Sequence, residues 1–241
     1  MKISIVVPAF NEEKLIEESL RSMQRAARVF ADLKWESELI VCNNNSTDRT
    51  AELAAACGAR VVFEPVNQIA RARNTGAQAA DGDWLIFVDA DSRPSPELFA
   101  EVAEAIVAGK AVGGGCLVKM DSDSVAMSVL SLIWTTASRL KKWAAGSFIF
   151  CETRIFREIG GFSHEMFAAE EIDLSERLKE IARRDGRKMV ILTRHPLLTS
   201  ARKMHLYSGR EHLRLIFRTI LFPRRTLRNR EECALWYDGR R

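Results

Sequence analysis

Two carboxylates close together at the end of an apolar run can hold a divalent cation. Asp89 and Asp91 are spaced that way in Trp84-Leu-Ile-Phe-Val-Asp-Ala-Asp-Ser-Arg-Pro94. Alternation along an extended chain puts both on one side of a buried strand tip. Side by side they repel unless something positive lies between them. Mg²⁺ takes one or two carboxylates together with phosphate oxygens, so a cation holding a diphosphate suits the pair. The plain alternative is a strand ending in a solvated Asp turn.

Other polar clusters recur along the chain. Pro8-Ala-Phe-Asn-Glu-Glu13 can present backbone and side-chain oxygens to a nucleobase, or Asn11 can simply cap a helix. Cys42-Asn-Asn-Asn-Ser-Thr-Asp48 offers many donors and acceptors in one turn. In Gln68-Ile-Ala-Arg-Ala-Arg-Asn-Thr-Gly76, Arg71 and Arg73 could reach a phosphate, with Asn74 and Gly76 permitting close approach. Phe167-Ala-Ala-Glu-Glu-Ile-Asp-Leu174 gathers Glu170, Glu171 and Asp173 at a helix start, where acids also complement the helix dipole.

These clusters need elements to position them. Short apolar runs alternate with helical spacing over the first hundred residues. Strands are expected at 3–8, 38–42, 60–63 and 84–89, and helices at 12–33, 46–57, 69–80 and 95–108. Ser46 or Thr47 would cap the second helix and Gly58 end it. Such alternation predicts an α/β fold with a mostly parallel sheet and helices on both faces. Ligands of such sheets sit beyond the carboxyl ends of the strands, where the polar clusters fall. The second half reads as strands at 111–120, 147–152 and 189–192, with helices at 125–143, 153–159 and 172–182. No linker or repeat interrupts the chain.

Composition sets the outer bounds. The chain has 241 residues, 47% hydrophobic and 28% charged, as an ordinary globular domain does. Its five cysteines are scattered without a C-x-x-C pair, which fits a reducing cytosol and excludes a zinc ribbon. The first ten residues read as a strand rather than a signal peptide. The net charge of +4 is uneven: residues 202–230 hold nine cations against Glu211 alone. That basic stretch, interleaved with apolar residues, suits an anionic membrane surface or a phosphate-bearing substrate. No aromatic-basic RNA motif accompanies it, so nucleic acid is not expected as a partner.

In this order the segments VVPAFNEE, NNNSTDRTAELA, ARARNTGA and GDWLIFVDADSRPSPE resemble the glycosyltransferase family 2 enzymes and their A-type nucleotide-sugar-binding fold. The resemblance continues through AAGSFIFCETRIFREIGGFSHEMFAAEEIDLSERL and covers about residues 1–200. It implies one glycosyltransferase domain over 1–200, a nucleotide-sugar half at 1–110, an acceptor half at 111–200, and a basic extension at 201–241. It implies that Pro8, Phe10, Glu12, Asn43 and Asn44 border the nucleotide. Asn43 stands where the family usually has Asp. Arg73 would lie near the diphosphate, Asp89 would contact ribose or the metal's shell, and Asp91 would ligate Mg²⁺ or Mn²⁺. Glu171 falls at the family's base position, with Glu170 and Asp173 as alternatives. An inverting transfer needs such a carboxylate within hydrogen-bond reach of the acceptor hydroxyl.

The implied partners are a nucleotide diphospho-sugar donor and a glycan, lipid-linked or small-molecule acceptor, in the cytoplasm or on the inner membrane face. Two other readings stand. A sugar-phosphate nucleotidyltransferase also uses paired acids, but normally carries a Gly- and Arg-rich loop that PAFNEE lacks. A non-catalytic membrane- or anion-binding module would use the basic stretch alone. His195, His205, Trp84, Trp134, Trp143 and the Arg202-Lys203 pair are weaker candidates for metal, sugar or phosphate contacts.

Overall fold

The computed structural model describes residues 1–121, 136, 138, 140–202, 227–229 and 231–233. Most of the expected helix over 125–143, together with His205, Trp134, Lys203 and most of the basic stretch, lies outside these residues; residues 136, 138, 140 and 141 are helical. A single eight-stranded sheet forms the centre, in the order β3-β2-β1-β4-β7-β6-β8-β5. Its strands are β1 (Lys2–Ala9), β2 (Glu36–Asn43), β3 (Arg60–Phe63), β4 (Trp84–Val88), β5 (Ser92–Arg93), β6 (Ala111–Asp121), β7 (Phe148–Glu152) and β8 (Lys188–Ser200). The helices bounded among the described residues are α1 (Ile16–Asp32), α2 (Thr50–Ala56), α3 (Ile69–Gln78), α4 (Pro96–Val107), α5 (Thr153–Glu158) and α6 (Glu170–Arg184).

The sheet buries apolar side chains on both faces. Residues such as Ile5, Val7, Val41 and Ile86 pack beneath α1, α2 and α4. Val6, Ile40, Phe87 and Ile149 pack beneath α3, α5 and α6. Such two-sided burial explains why the strands read as continuous apolar runs rather than alternating ones. Helix ends follow local chemistry in part. Ser95 caps α4 by accepting from Leu98 N–H at 3.2 Å, with Pro96 in the first turn. Helix α2 starts later than expected, and neither Ser46 nor Thr47 caps it, because Asp48 instead receives Thr50 N–H at 3.0 Å.

The sheet departs from the expected parallel order in its second half. β7 runs antiparallel to both β4 and β6, and β5 antiparallel to β8. Antiparallel β7 therefore begins at the edge where β1, β2 and β4 end, and brings the preceding loop to that edge. β8 is longer than expected, running on past Pro196 because its pairing with β6 shifts register between Cys116 and Val118. Two-residue β5 was invisible in the sequence pattern. The Gly113-Gly114-Gly115 run follows from crowding: a methyl group at Gly114 would sit 2.1 Å from the Val190 carbonyl oxygen.

Pro8 lies inside a central strand, where proline is usually excluded. The Ala9 carbonyl accepts from Asn44, so its backbone faces β2. The missing N–H of Pro8 would then face β4, whose pairing with β1 stops at Val6–Phe87.

Candidate active site

The strand ends of β1, β2 and β4, the start of β7, the head of α6 and the end of β8 meet at one edge. Tight turns shape the first of these. Asn11, with φ of 52°, accepts from Thr47 N–H at 2.8 Å and donates its own N–H to Ser46 Oγ at 3.0 Å. Asn11 thus stitches the β1–α1 turn to the β2–α2 turn and caps no helix. Phe10 stands partly exposed between them. Asn43 is partly buried and accepts from Ser46 N–H at 2.9 Å. Asn44 is buried and its amide is fully engaged: it donates to the Glu64 and Val66 carbonyls at 3.2 and 2.7 Å and accepts from Gln68 N–H at 3.0 Å. Its side chain holds the loop rather than reaching outward.

Glu12 is also buried, its N–H donating to Thr50 Oγ1 at 2.8 Å and its carboxylate receiving Arg202 Nη2. Arg202 follows β8 directly, so this pair ties the two ends of the sheet edge together. The Nε and Nη1 groups of Arg202 are buried without a hydrogen-bond partner among the described residues.

Asp89 and Asp91 lie in a turn beyond the end of β4 rather than on an extended strand tip. Ser92 N–H turns back to the Asp89 carbonyl at 3.1 Å, because buried Ala90 packs inward on the α1/α4 side. The two carboxylates then engage different elements. Asp89 receives Arg73 Nη2 from α3 at 3.1 Å, whereas buried Asp91 receives Thr199 Oγ1 from β8 at 3.5 Å. No sequence signal pointed to Thr199.

Arg73 is the centre of the arrangement. It is 1% exposed, and its guanidinium donates to Glu170 at 2.6 Å, the Gly146 carbonyl at 2.6 Å and Asp89 at 3.1 Å. Phe162 stacks 5.1 Å from it. Burial works against its charge, but Asp89, Glu170 and Glu171 more than compensate and hold it protonated. Gly76, expected to admit a phosphate, instead faces β1, where a methyl group would meet Val6 at 2.4 Å. Arg71 donates to Gln68 at 3.1 Å.

The three acids in the first turn of α6 separate by environment. Asp173 receives Arg177 Nη2 at 2.6 Å and Nε at 3.0 Å, one turn along its own helix. Glu170 is buried against Arg73. Glu171 lies beside Gly146, where a methyl group would come within 3.4 Å of both its Cδ and Arg73 Nη2. Burial pushes the Glu171 carboxyl up to about 8, repulsion from Glu170 adds to this, and Arg73 opposes it. Glu170 and Glu171 follow Ala169, which adopts the left-handed conformation with φ of 62°.

Weaker candidates fall elsewhere. His195 faces α4, with Nδ1 3.4 Å from Glu101, because that buried glutamate also receives the backbone N–H groups of residues 193–195. Trp84 is core at the opposite end of its strand. Trp143 donates to Glu176 at 2.5 Å and lies under Lys179.

Residues 4–167 match the sequence pattern of Glycosyl transferase family 2. The chain belongs to that family. It is similar to the uncharacterized glycosyltransferase EpsJ of Bacillus subtilis, at 34% identity over 107 residues, covering 42% of this chain and 29% of EpsJ. The chain thus spans less than a third of that relative. Among solved structures, that of Staphylococcus aureus TarS 1-349 in complex with UDP-GlcNAc superposes with a TM-score of 0.64 at 21% identity, covering 98% of this chain and 69% of TarS. Glucosyl-3-phosphoglycerate synthase from Mycobacterium tuberculosis, in complex with Mn²⁺, UDP and phosphoglyceric acid, superposes at 0.61 with 20% identity, covering 95% and 80%. At these identities the likeness establishes the A-type glycosyltransferase fold. No helix among the described residues of this glycosyltransferase is long and apolar enough to cross a membrane.

Proposed function

We propose that this family 2 protein is a metal-dependent inverting glycosyltransferase that moves a sugar from a nucleotide diphospho-sugar to an acceptor hydroxyl. The observation that carries the reading is Glu171, a carboxyl with a raised pKa packed against the Glu170–Arg73–Asp89 chain. A general base works best with a pKa near the operating pH. Asp173 and Glu170 are each taken up in an ion pair with an arginine, so Glu171 is the assigned base and Glu170 its neighbour.

The nucleotide lies across Pro8, Phe10 and Asn43, with Asn44 and Glu12 holding those turns from behind. Asn43 offers a neutral carbonyl to the base. Hard oxygen donors are what Mg²⁺ or Mn²⁺ prefers, and one carboxylate with diphosphate oxygens suffices, so Asp91 fits as the protein ligand. The bound metal would act as a Lewis acid toward charge on the leaving diphosphate. Asp89, held by Arg73 at 3.1 Å, orders the ribose side. Glu171 accepts the acceptor's proton as that oxygen attacks the anomeric carbon. The Mn²⁺ and UDP named for the mycobacterial structure, and the UDP-GlcNAc named for TarS, support a metal and a uridine nucleotide as first probes. The domain splits into a nucleotide half at 1–110 and an acceptor half at 111–200. The basic stretch after Ser200 rests the enzyme on the anionic inner face of a membrane, within the cytoplasm.

Thermal-shift measurements with UDP, GDP and TDP, with and without Mn²⁺, test the reading, because a ligand of the folded state raises Tm. One nucleotide should stabilise the protein only with Mn²⁺ present. Asp91→Ala should abolish that Mn²⁺-dependent shift and cut transfer by about a hundredfold or more, as expected for several kcal/mol of lost charge stabilisation. Full activity in Asp91→Ala would remove the metal role.

A further inference from the structure

The segment 161–170 that leads into α6 has little regular structure, yet it must place two carboxylates. Its first part is fastened from α3. Asn74 exchanges two bonds of 2.9 Å with Phe162, and Gln68 Nε2 donates to the His164 and Met166 carbonyls at 2.8 and 2.9 Å. Its last residue, Glu170, is fastened again by Arg73. Between these anchors the bonds come from far along the chain. Phe167 and Ala168 donate their N–H groups to the Leu227 carbonyl at 2.8 and 3.4 Å. Cys233 is fully buried with Ala168, and Phe167 and Leu227 complete that small apolar cluster. Arg228 pairs with Glu165 at 2.8 Å. The C-terminal piece is itself a compact turn, with Cys233 N–H donating to the Asn229 carbonyl at 3.2 Å and Glu231 N–H to Asn229 Oδ1 at 2.9 Å.

The next residue after this contact is Ala169, in the left-handed region that L-residues enter only under constraint. Such a conformation persists when its surroundings over-determine it, and here they do so from two sides. We propose that residues 227–233 are a positioning element for the carboxylates at the head of α6. Leu227 and Cys233 act on the head of α6 through their contacts with Phe167 and Ala168. The C-terminal region is then part of the acceptor side of the enzyme as well as a basic extension.

This inference rests on Glu171 as the base, and its test keeps the two apart. In Cys233→Arg and Cys233→Ser, hydrogen exchange at the Phe167 and Ala168 amides reports docking directly. Both variants should exchange faster there, with the arginine variant the larger effect. Its kcat should fall by about tenfold, equal to about 1.4 kcal/mol. Nucleotide Kd and donor KM should stay within about twofold, because the β1, β2 and β4 turns are untouched; a general loss of fold would move them together. Should Cys233→Arg not fold, Cys233→Ser decides by the same two readouts. A folded variant with faster exchange and wild-type kcat overturns the proposal. So does unchanged exchange at both amides. Full activity in Glu171→Gln would instead overturn the base assignment while leaving the exchange result standing.

Discussion

The edge made by β1, β2 and β4 and the segment at 161–170 do neighbouring jobs but are held differently. At the edge, each turn leaves a strand whose position the sheet already fixes, and short polar residues complete it within and between neighbouring turns. Asn43 reaches only three residues along, to Ser46. The 161–170 segment has no strand of its own. It depends on side chains from α3, some ninety residues earlier, and on Leu227, some sixty residues later. Turns set on fixed strands tolerate the loss of one bond; a long-range clasp concentrates its load on few groups, and Arg73 ties the buried Glu170 at its end.

Four measurements would break or sharpen that contrast. The largest effect belongs to Glu171→Gln, which should lower kcat by about 10²–10⁴. Because the active form is the carboxylate and its pKa is about 8, wild-type kcat/KM should rise with pH through that value. The sign for stability is opposite. A carboxyl raised from 4.5 to about 8 favours the folded state when protonated, so that contribution fades as pH climbs from 4.5 through 8. Glu171→Gln should therefore raise Tm relative to wild type at pH 9 and barely change it at pH 5.

Arg73→Met should cost about 3–5 kcal/mol in urea unfolding, since it strands buried carboxylates without their cation. On the strand-held side, Asn43→Ala removes one hydrogen bond and should cost about 1 kcal/mol. Equal losses for these two would end the distinction. The smallest effect is Ala169→Gly, which relieves a left-handed alanine but frees the unfolded chain. The balance should be a gain of about 0.5–1 kcal/mol, visible as a modest rise in Tm.

Legibility followed the same divide. Strands β1 to β4 and helices α1, α3 and α4 are readable because burial on two faces and helical spacing are properties of neighbouring residues. The turn at Asp89-Ala-Asp91 was not readable, because the burial of Ala90 in the core beneath α1 and α4 depends on residues far off in the chain. Nor was the exchange of roles in ARARNTGA. Arg73 and Asn74 look like phosphate contacts on a lone helix, and only the approach of residues 146, 162 and 170 turns them into clasps.

The sequence by itself determined the family, the order of elements and the identity of the acids, since apolar periodicity and turn chemistry act over a few residues. Only the folded surroundings raise the Glu171 carboxyl to about 8. Glu170, Glu171 and Asp173 are equivalent on paper. They differ because one meets Arg73, one meets Arg177, and one is buried beside a like charge. A charge's energy is set by what surrounds it in space, and no spacing along the chain contains that information.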